Sequence, residues 1–135
     1  MSHLTDLARY HLDAAHASPH GRSAELLLHD GVLRQSIIAI TAGSSLGEHN
    51  SPDAASIQVL VGHVRITGNE QSEVGAGELA VLTHHRHAVA ADQDSVFLLT
   101  TVTSLPDSLV AGGREDAGVA PQGSAEPEAG REATA

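Results

Sequence analysis

The chain has 135 residues, a length that supports one domain with one modest hydrophobic core. It contains no cysteine, which excludes disulfides, thiolate metal sites and cysteine nucleophiles. Its formal net charge of −10 argues against nucleic-acid binding, because proteins that bind nucleic acid normally present a basic face to the phosphates.

The first predicted element is an amphipathic helix over residues 4–17. Its apolar residues recur at the spacing of one helical face, and either Ser2 or Thr5 is a suitable N-cap. Pro19 and Gly21 follow the helix, and they predict that it ends before them.

From Ser23 onward, short apolar runs rich in Val, Ile, Leu and Thr alternate with turns that contain Gly, Asn, Asp or Pro. This spacing favours a β-sandwich or barrel over a parallel α/β sheet. Residues 96–99 are apolar on both faces of their strand, which predicts that the N-terminal helix or a second subunit covers the outer side. The predicted strands are Ala24–Leu28, Val32–Thr41, Ser56–Val61, Val64–Thr67, Leu79–Leu82, His87–Ala90 and Ser95–Val102.

The apolar pattern ends near Pro106, and the remaining chain is mostly Gly, Ala, Pro, Glu and Ser. Such a segment buries too little surface to offset the entropy of ordering it, so we predict a disordered acidic tail. The predicted organisation is a helix and linker at 1–22, a β-domain at 23–105 and the tail at 106–135. No stretch approaches the ~20 apolar residues of a membrane span and no signal peptide is recognisable, so we expect a soluble cytoplasmic protein.

Two segments in the middle of the chain combine framework glycines with histidines. The first runs from Gly43 to Gly62, and the second runs from Gly77 to Val89. They resemble the two motifs of the cupin superfamily, and the resemblance covers residues 36–100. It implies an all-β fold, the cupin-type double-stranded β-helix or jelly-roll barrel, with the short helix before it and the tail after it.

The resemblance also assigns positions within those motifs. His49 stands at the family's first histidine and His87 at its last. Ser51 replaces the family's second histidine, Ala55 replaces its glutamate, and Thr83 replaces the proline of the second motif. The framework therefore follows the family pattern, whereas the metal-ligand set does not.

A catalytic first-row metal needs about three protein ligands and an open position, so His49 and His87 require a third ligand. His85 is the candidate, because residues two apart on an extended strand point to the same face. A surface position in a turn is the alternative for His85. The site would hold one divalent transition metal (Fe, Mn, Ni, Cu or Zn) or be a metal-free pocket.

Ser51, Gln58 and Thr83 are candidate polar contacts to a small ligand in an otherwise apolar pocket. The missing family ligands favour a small-molecule-binding module with a sensor or accessory role. A metal-dependent enzyme of the dioxygenase or isomerase type is the alternative, and a structural or interaction domain is a third. We expect a homodimer, because small jelly rolls leave sheet edges that a second copy commonly covers, and no nucleic-acid or membrane partner.

The remaining histidines have less specific surroundings. His63 and Arg65 share the face opposite two apolar neighbours, so we predict exposed strand residues or dimer contacts. His3, His11 and His29 show no sign of a functional role in the sequence.

Overall fold

A computed structural model describes residues 1–49, 54–68, 71–82 and 87–102. Within these ranges, one helix packs on a sandwich of two antiparallel β-sheets. The elements are α1 (Leu4–Ala17), β1 (Arg22–Asp30), β2 (Leu33–Ile40), β3 (Ser45–His49), β4 (Ala54–Val61), β5 (His63–Thr67), β6 (Ser72–Gly75), β7 (Leu79–Leu82), β8 (His87–Ala91) and β9 (Ser95–Val102). The predicted tail at 106–135 lies outside the described residues.

The helix has the predicted bounds, but its N-cap differs from the prediction. The side chain of His3, rather than that of Ser2 or Thr5, accepts a hydrogen bond from the backbone N–H of Asp6 at 3.4 Å. An imidazole nitrogen thereby satisfies one of the N–H groups that the first helical turn leaves unpaired. No helix in the described part of the chain is long and apolar enough to cross a membrane.

All seven predicted strands are present, and the described residues contain two further strands that the sequence did not predict. These are β3 and β6, which have five and four residues. Gly47 lies in β3 and Gly75 ends β6, so neither strand shows the long Val-, Ile- or Leu-rich run by which the others were recognised. Both are recruited by pairing with β8 and β5 rather than by their own propensity.

The strands form a five-stranded sheet in the order β1-β2-β9-β4-β7 and a four-stranded sheet in the order β3-β8-β5-β6. Their inward-facing apolar side chains meet in one core between the sheets. Phe97 at 1% exposure is the largest of its fully buried side chains, and burial of such a side chain stabilises the fold by roughly 1.5–3 kcal/mol. Other core members are Ile38, Ile40, Ile57, Val59, Val64, Ile66, Val74, Leu82 and Val89.

Helix α1 covers part of the outer face of the five-stranded sheet. Ala8 and Ala15 of the helix form a second buried cluster with Ile37, Ala39 and Val96 of the sheet. This confirms that the helix covers the outer side of the strand that is apolar on both faces. Because side chains alternate along a strand, Val96 faces the helix while the next residue faces the main core.

The barrel has two distinct ends. At one end, β3 finishes at His49, β4 begins at Ala54, β7 finishes at Leu82 and β8 begins at His87. We call this the histidine end. At the opposite end, which we call the turn end, tight turns at 41–44, 62, 76–78 and 92–94 join the strands.

Candidate functional site

His87 is buried at the histidine end. It is the first residue of β8 and is 7% exposed. Burial alternates along this strand, so that His87 shares its buried face with Val89 and Ala91, both members of the main core. The side chain of His87 therefore faces the space between the two sheets.

The backbone of His49 lies directly opposite that of His87. The two residues are antiparallel partners across β3 and β8, and Leu46 is paired with Val89 further along the same strands. From one pair to the next, β3 uses three residues and β8 uses two, so β3 contains a one-residue bulge over residues 47–48. The bulge shifts the register of β3 and thereby brings His49 level with His87.

The other predicted pocket residues divide into two groups. Ser51, Thr83 and His85 lie outside the described residues, in the connections β3–β4 and β7–β8 that begin and end at the histidine end. Gln58 is described and is exposed on β4, between the buried Ile57 and the buried Val59. The structure therefore places Gln58 on the outer face of the five-stranded sheet, away from the space that His87 faces.

Of the three predicted metal ligands, the structure describes His87 and the backbone of its partner His49. Among the described residues, no group of three His, Cys, Asp or Glu side chains is arranged to hold a metal ion. A three-histidine site thus depends on His85. Ala55, which stands at the family's glutamate position, is 8% exposed and belongs to the apolar core.

A groove of about 360 Å³ lies on the other side of the five-stranded sheet, between α1 and β4. Leu4, Ala8 and Leu12 of the helix and Leu60 of β4 form most of its lining, with Arg9 beside them. The groove is open and lies outside the barrel. It does not include the histidine pair.

His11, for which the sequence indicated no role, is a buried residue of α1. Its Nε2 lies 2.8 Å from Glu25 Oε1, and its Nδ1 lies 2.8 Å from Ser23 Oγ. A carboxylate only accepts, so in the neutral imidazole Nε2 donates to Glu25 and Nδ1 accepts from the Ser23 hydroxyl. His11 therefore ties the helix to β1. Its helical spacing from Ala8 and Ala15, which are both buried, is the signal that places it on the inner face.

His63 and Arg65 lie on the outer face of the four-stranded sheet and are half-buried in ion pairs. His63 Nε2 is 3.1 Å from Glu73 Oε1, and Arg65 donates to both carboxylate oxygens of Asp92, the shortest contact being 2.9 Å. The hydrogen bond from Arg65 holds the pKa of Asp92 below its ordinary value. These ion pairs lie on the outer face of the four-stranded sheet, on the side opposite the face that His87 occupies.

The arrangement of strands allows comparison with known proteins. No protein-family model matches the sequence, and no curated protein matches it significantly. Among solved structures, a cupin superfamily protein from Desulfitobacterium hafniense is similar at a TM-score of 0.58 and 18% identity, over 62% of this chain and 78% of that one. The chain has the cupin fold.

Two further structures are similar to this cupin-fold chain. A conserved protein of unknown function from Streptococcus pyogenes shares 24% identity over 65% of this chain and 79% of that one, with a TM-score of 0.59. Salicylate 1,2-dioxygenase from Pseudaminobacter salicylatoxidans shares 15% identity over 72% of this chain, with a TM-score of 0.62. The match spans 33% of the dioxygenase chain. The predicted fold is confirmed, and the predicted site residues stay predictions.

Proposed function

We propose that this cupin-fold domain binds a small molecule at its histidine end, in a site that contains His49 and His87. The observation that carries the proposal is the direct antiparallel pairing of these two residues. Direct partners in an antiparallel pair have Cα atoms about 4.5–5.5 Å apart. His87 lies on the buried face of its strand. The proposal requires the side chain of His49 to lie on that same face.

The surroundings of His87 favour a ligand with an apolar body and few polar groups. Val89 is buried beside it on β8, and Leu46 packs against the same core from β3. Small-molecule sites typically combine such apolar walls with a few placed polar groups, which here are the imidazoles and the side chains of Ser51 and Thr83. The apolar walls exclude water, and the histidines orient the ligand.

The proposed site includes one divalent transition metal held by His49, His87 and His85. Imidazole nitrogen suits zinc, copper, iron and nickel, and three such ligands leave a position open for the small molecule. A metal bound there would supply a Lewis acid that polarises an oxygen of the ligand. The apolar Ala55 at the family's glutamate position removes one donor, which favours a sensor or accessory role over an efficient enzyme.

A metal-dependent dioxygenase is the second candidate function. The TM-score of 0.62 to salicylate 1,2-dioxygenase over 72% of this chain favours it. Turnover separates the two candidates: a dioxygenase consumes oxygen with an aromatic substrate, whereas a binding module holds its ligand unchanged. In both, the histidines are ligands to the metal rather than acids or bases.

The test is elemental analysis of the purified full chain after incubation with each of the five metals and gel filtration. We expect about one metal per chain, lost in His49→Ala and in His87→Ala. His63→Ala is the matched control, because His63 lies on the outer face of the sheet to which His87 belongs. That variant should keep the metal.

Two outcomes would contradict parts of this proposal. Equal metal content in the wild type and in His87→Ala would show that the metal does not bind at the histidine end. A wild-type chain that takes up none of the five metals would leave a metal-free pocket. In that case, a ligand screen by thermal shift should find compounds that stabilise the wild type and not His87→Ala, and a screen without such compounds would refute the binding site.

A further inference from the structure

The inner face of β2 becomes more polar toward the histidine end. Ile40 and Ile38 belong to the main core, Ser36 is half-buried and Arg34 is exposed. Strands β2 and β9 pair without a register shift from Leu33 to Ile40, so the alternation of side chains between the two faces is unbroken. Arg34 and Ser36 therefore stand on the face that carries the core, and Arg34 is the one nearer the histidine end.

Arg34 belongs to a row of residues that crosses the five-stranded sheet. It pairs with His29 of β1 and with Thr101 of β9. Thr101 is half-buried and pairs in turn with Ala55 of β4, a core residue. Because β4 begins at Ala54, this row lies at the histidine end. Neighbouring strands are about 4.8 Å apart, so the row leads from Arg34 to the apolar core at the start of β4 over about 10 Å.

Another arginine on the same inner face shows that such a side chain reaches the opposite sheet. Arg22 of β1 pairs with the core residue Ile40, at the turn end. Its guanidinium donates to the backbone carbonyl of Ser45, the first residue of β3, at 3.5 Å. Arg34 lies at the other end of the same strand pair, and β3 ends there at His49. We therefore expect the side chain of Arg34 to reach a ligand that lies between the sheets at the histidine end.

The polar groups of the row are suited to an anion. A guanidinium offers five N–H donors in a planar fork that matches a carboxylate, and the hydroxyl of Thr101 can donate a further hydrogen bond. Among the described residues, no carboxylate forms an ion pair with Arg34, whereas Arg65 is paired with Asp92. The net charge of −10 repels small anions from the chain as a whole, so an anionic ligand requires a local cation such as this one.

We propose that Arg34 binds the carboxylate of a small apolar acid, with Thr101 donating a second contact. The proposal rests on the small-molecule site proposed above and names its class of ligand: a monocarboxylate whose apolar body extends from Arg34 toward His87. Hydrogen bonds between a guanidinium and a carboxylate are about twice as strong as those between neutral groups. Arg34 then selects acids over neutral molecules of the same shape.

The test compares acids with their amides in NMR titrations of the full chain. Benzoate and hexanoate are the carboxylate probes, and benzamide and hexanamide are their neutral counterparts. We expect the wild type to bind at least one acid about 10-fold more tightly than its amide, and Arg34→Gln to lose this preference. Arg34→Lys keeps the charge without the fork and should retain part of it. Arg22→Gln is the matched control, because Arg22 stands on the same face at the turn end, and it should bind as the wild type does.

Metal content separates this proposal from the one on which it rests. An Arg34→Gln variant that keeps the metal and the affinity for the amides, but has lost the preference for acids, supports both. An equal preference in the wild type and in Arg34→Gln overturns the role of Arg34 and leaves the small-molecule site in place. A wild type that binds none of the four compounds at millimolar concentration also overturns that role, and elemental analysis of the same sample then shows whether the metal site exists.

A second measurement asks whether Arg34 instead pairs with a carboxylate of its own chain. Asp53 lies outside the described residues and directly precedes Ala54, in the connection at the histidine end. Urea unfolding of Arg34→Gln, Asp53→Asn and the double variant measures the coupling between the two residues. Additive losses of stability, together with the lost preference for acids, support the proposal. A strong coupling with an unchanged preference assigns Arg34 to an internal ion pair and overturns it.

Discussion

The two ends of the barrel are built on different principles. The turn end is held by short-range hydrogen bonds and by glycines in conformations that other residues rarely adopt. At the histidine end, the structure describes two of the six predicted site residues, His49 at the end of β3 and His87 at the start of β8. Close backbone contacts around Gly62 therefore secure the framework at the end opposite His49 and His87.

Gly62, Asp94 and Ser95 form the centre of the turn end. Gly62 has φ of +85°, and a Cβ there would collide with the carbonyl oxygen of Asp94 and with Ser95 Oγ. Ser95 is fully buried and accepts from the N–H of His63 at 3.0 Å. Its Oγ also lies 2.8 Å from the carbonyl oxygen of Gln93 and 3.1 Å from that of His63, which are the acceptors for its hydroxyl group. These contacts hold β5 against the start of β9.

The largest expected effect is on stability at this point. We expect Gly62→Ala to lower the free energy of unfolding by about 3 kcal/mol, because the left-handed backbone and the collision with backbone atoms add. Gly77→Ala is the matched control, with the same φ of +85° and no atom within 4 Å of the added Cβ. It should cost only about 1 kcal/mol. Urea unfolding followed by circular dichroism measures both, and equal losses would refute the steric argument.

At the histidine end, the expected effect is the stabilisation that the proposed metal would provide. A metal at one hundred times its dissociation constant should raise the free energy of unfolding by about 2.7 kcal/mol. His87→Ala should remove this increase, and Gly77→Ala should retain it, because Gly77 lies at the turn end. Thermal unfolding with and without metal provides the measurement. An increase that is the same in His87→Ala would mean that the metal binds elsewhere.

Removal of the buried hydroxyl at the turn end should have a somewhat smaller effect. Ser95→Ala leaves the backbone N–H of His63 without its acceptor, and we expect a loss of about 2 kcal/mol. Ser72→Ala, at an exposed position of β6, should change stability by less than about 0.5 kcal/mol. If the two variants unfold at the same urea concentration, the hydroxyl is not part of the framework.

The smallest expected effect is the pH dependence that Asp94 contributes. Hydrogen bonds from the backbone N–H of Ala42 and from His16 lower the pKa of Asp94 from its ordinary value of 3.8. A lowered folded-state pKa gives stability that is present above pH 3.8 and is lost as pH falls through the folded value. The side chains of Asp94 and His16 are 37% and 54% exposed, so solvent screening should keep the contribution below about 1 kcal/mol.

The variant Asp94→Asn checks this sign. Its free energy of unfolding should be lower than that of the wild type at pH 6, and the difference should shrink as the pH is lowered through and below 3.8. A difference that persists unchanged at pH 2 would show that the carboxylate charge is not its source.

Local pattern was sufficient for most of the fold. The bounds of α1, β7 and β9 agree with the prediction, because each has a strong period or a clear terminating residue. In the structure, burial alternates along β4, and Gln58 is exposed between the buried Ile57 and Val59. The prediction of Gln58 as a pocket residue did not take this period-2 alternation into account.

The sequence by itself thus determined the all-β class, the helix and most strands, since each follows from the periodicity of neighbouring residues or from a motif. Only the tertiary structure decided that His49 and His87 are direct backbone partners, that His11 is buried and that β7 is an edge strand among the described residues. These facts depend on which distant segments pair and at which register. A one-residue bulge in β3 changes which residue of β3 pairs with His87, and neither the hydrophobic period nor the composition of the sequence reveals this bulge.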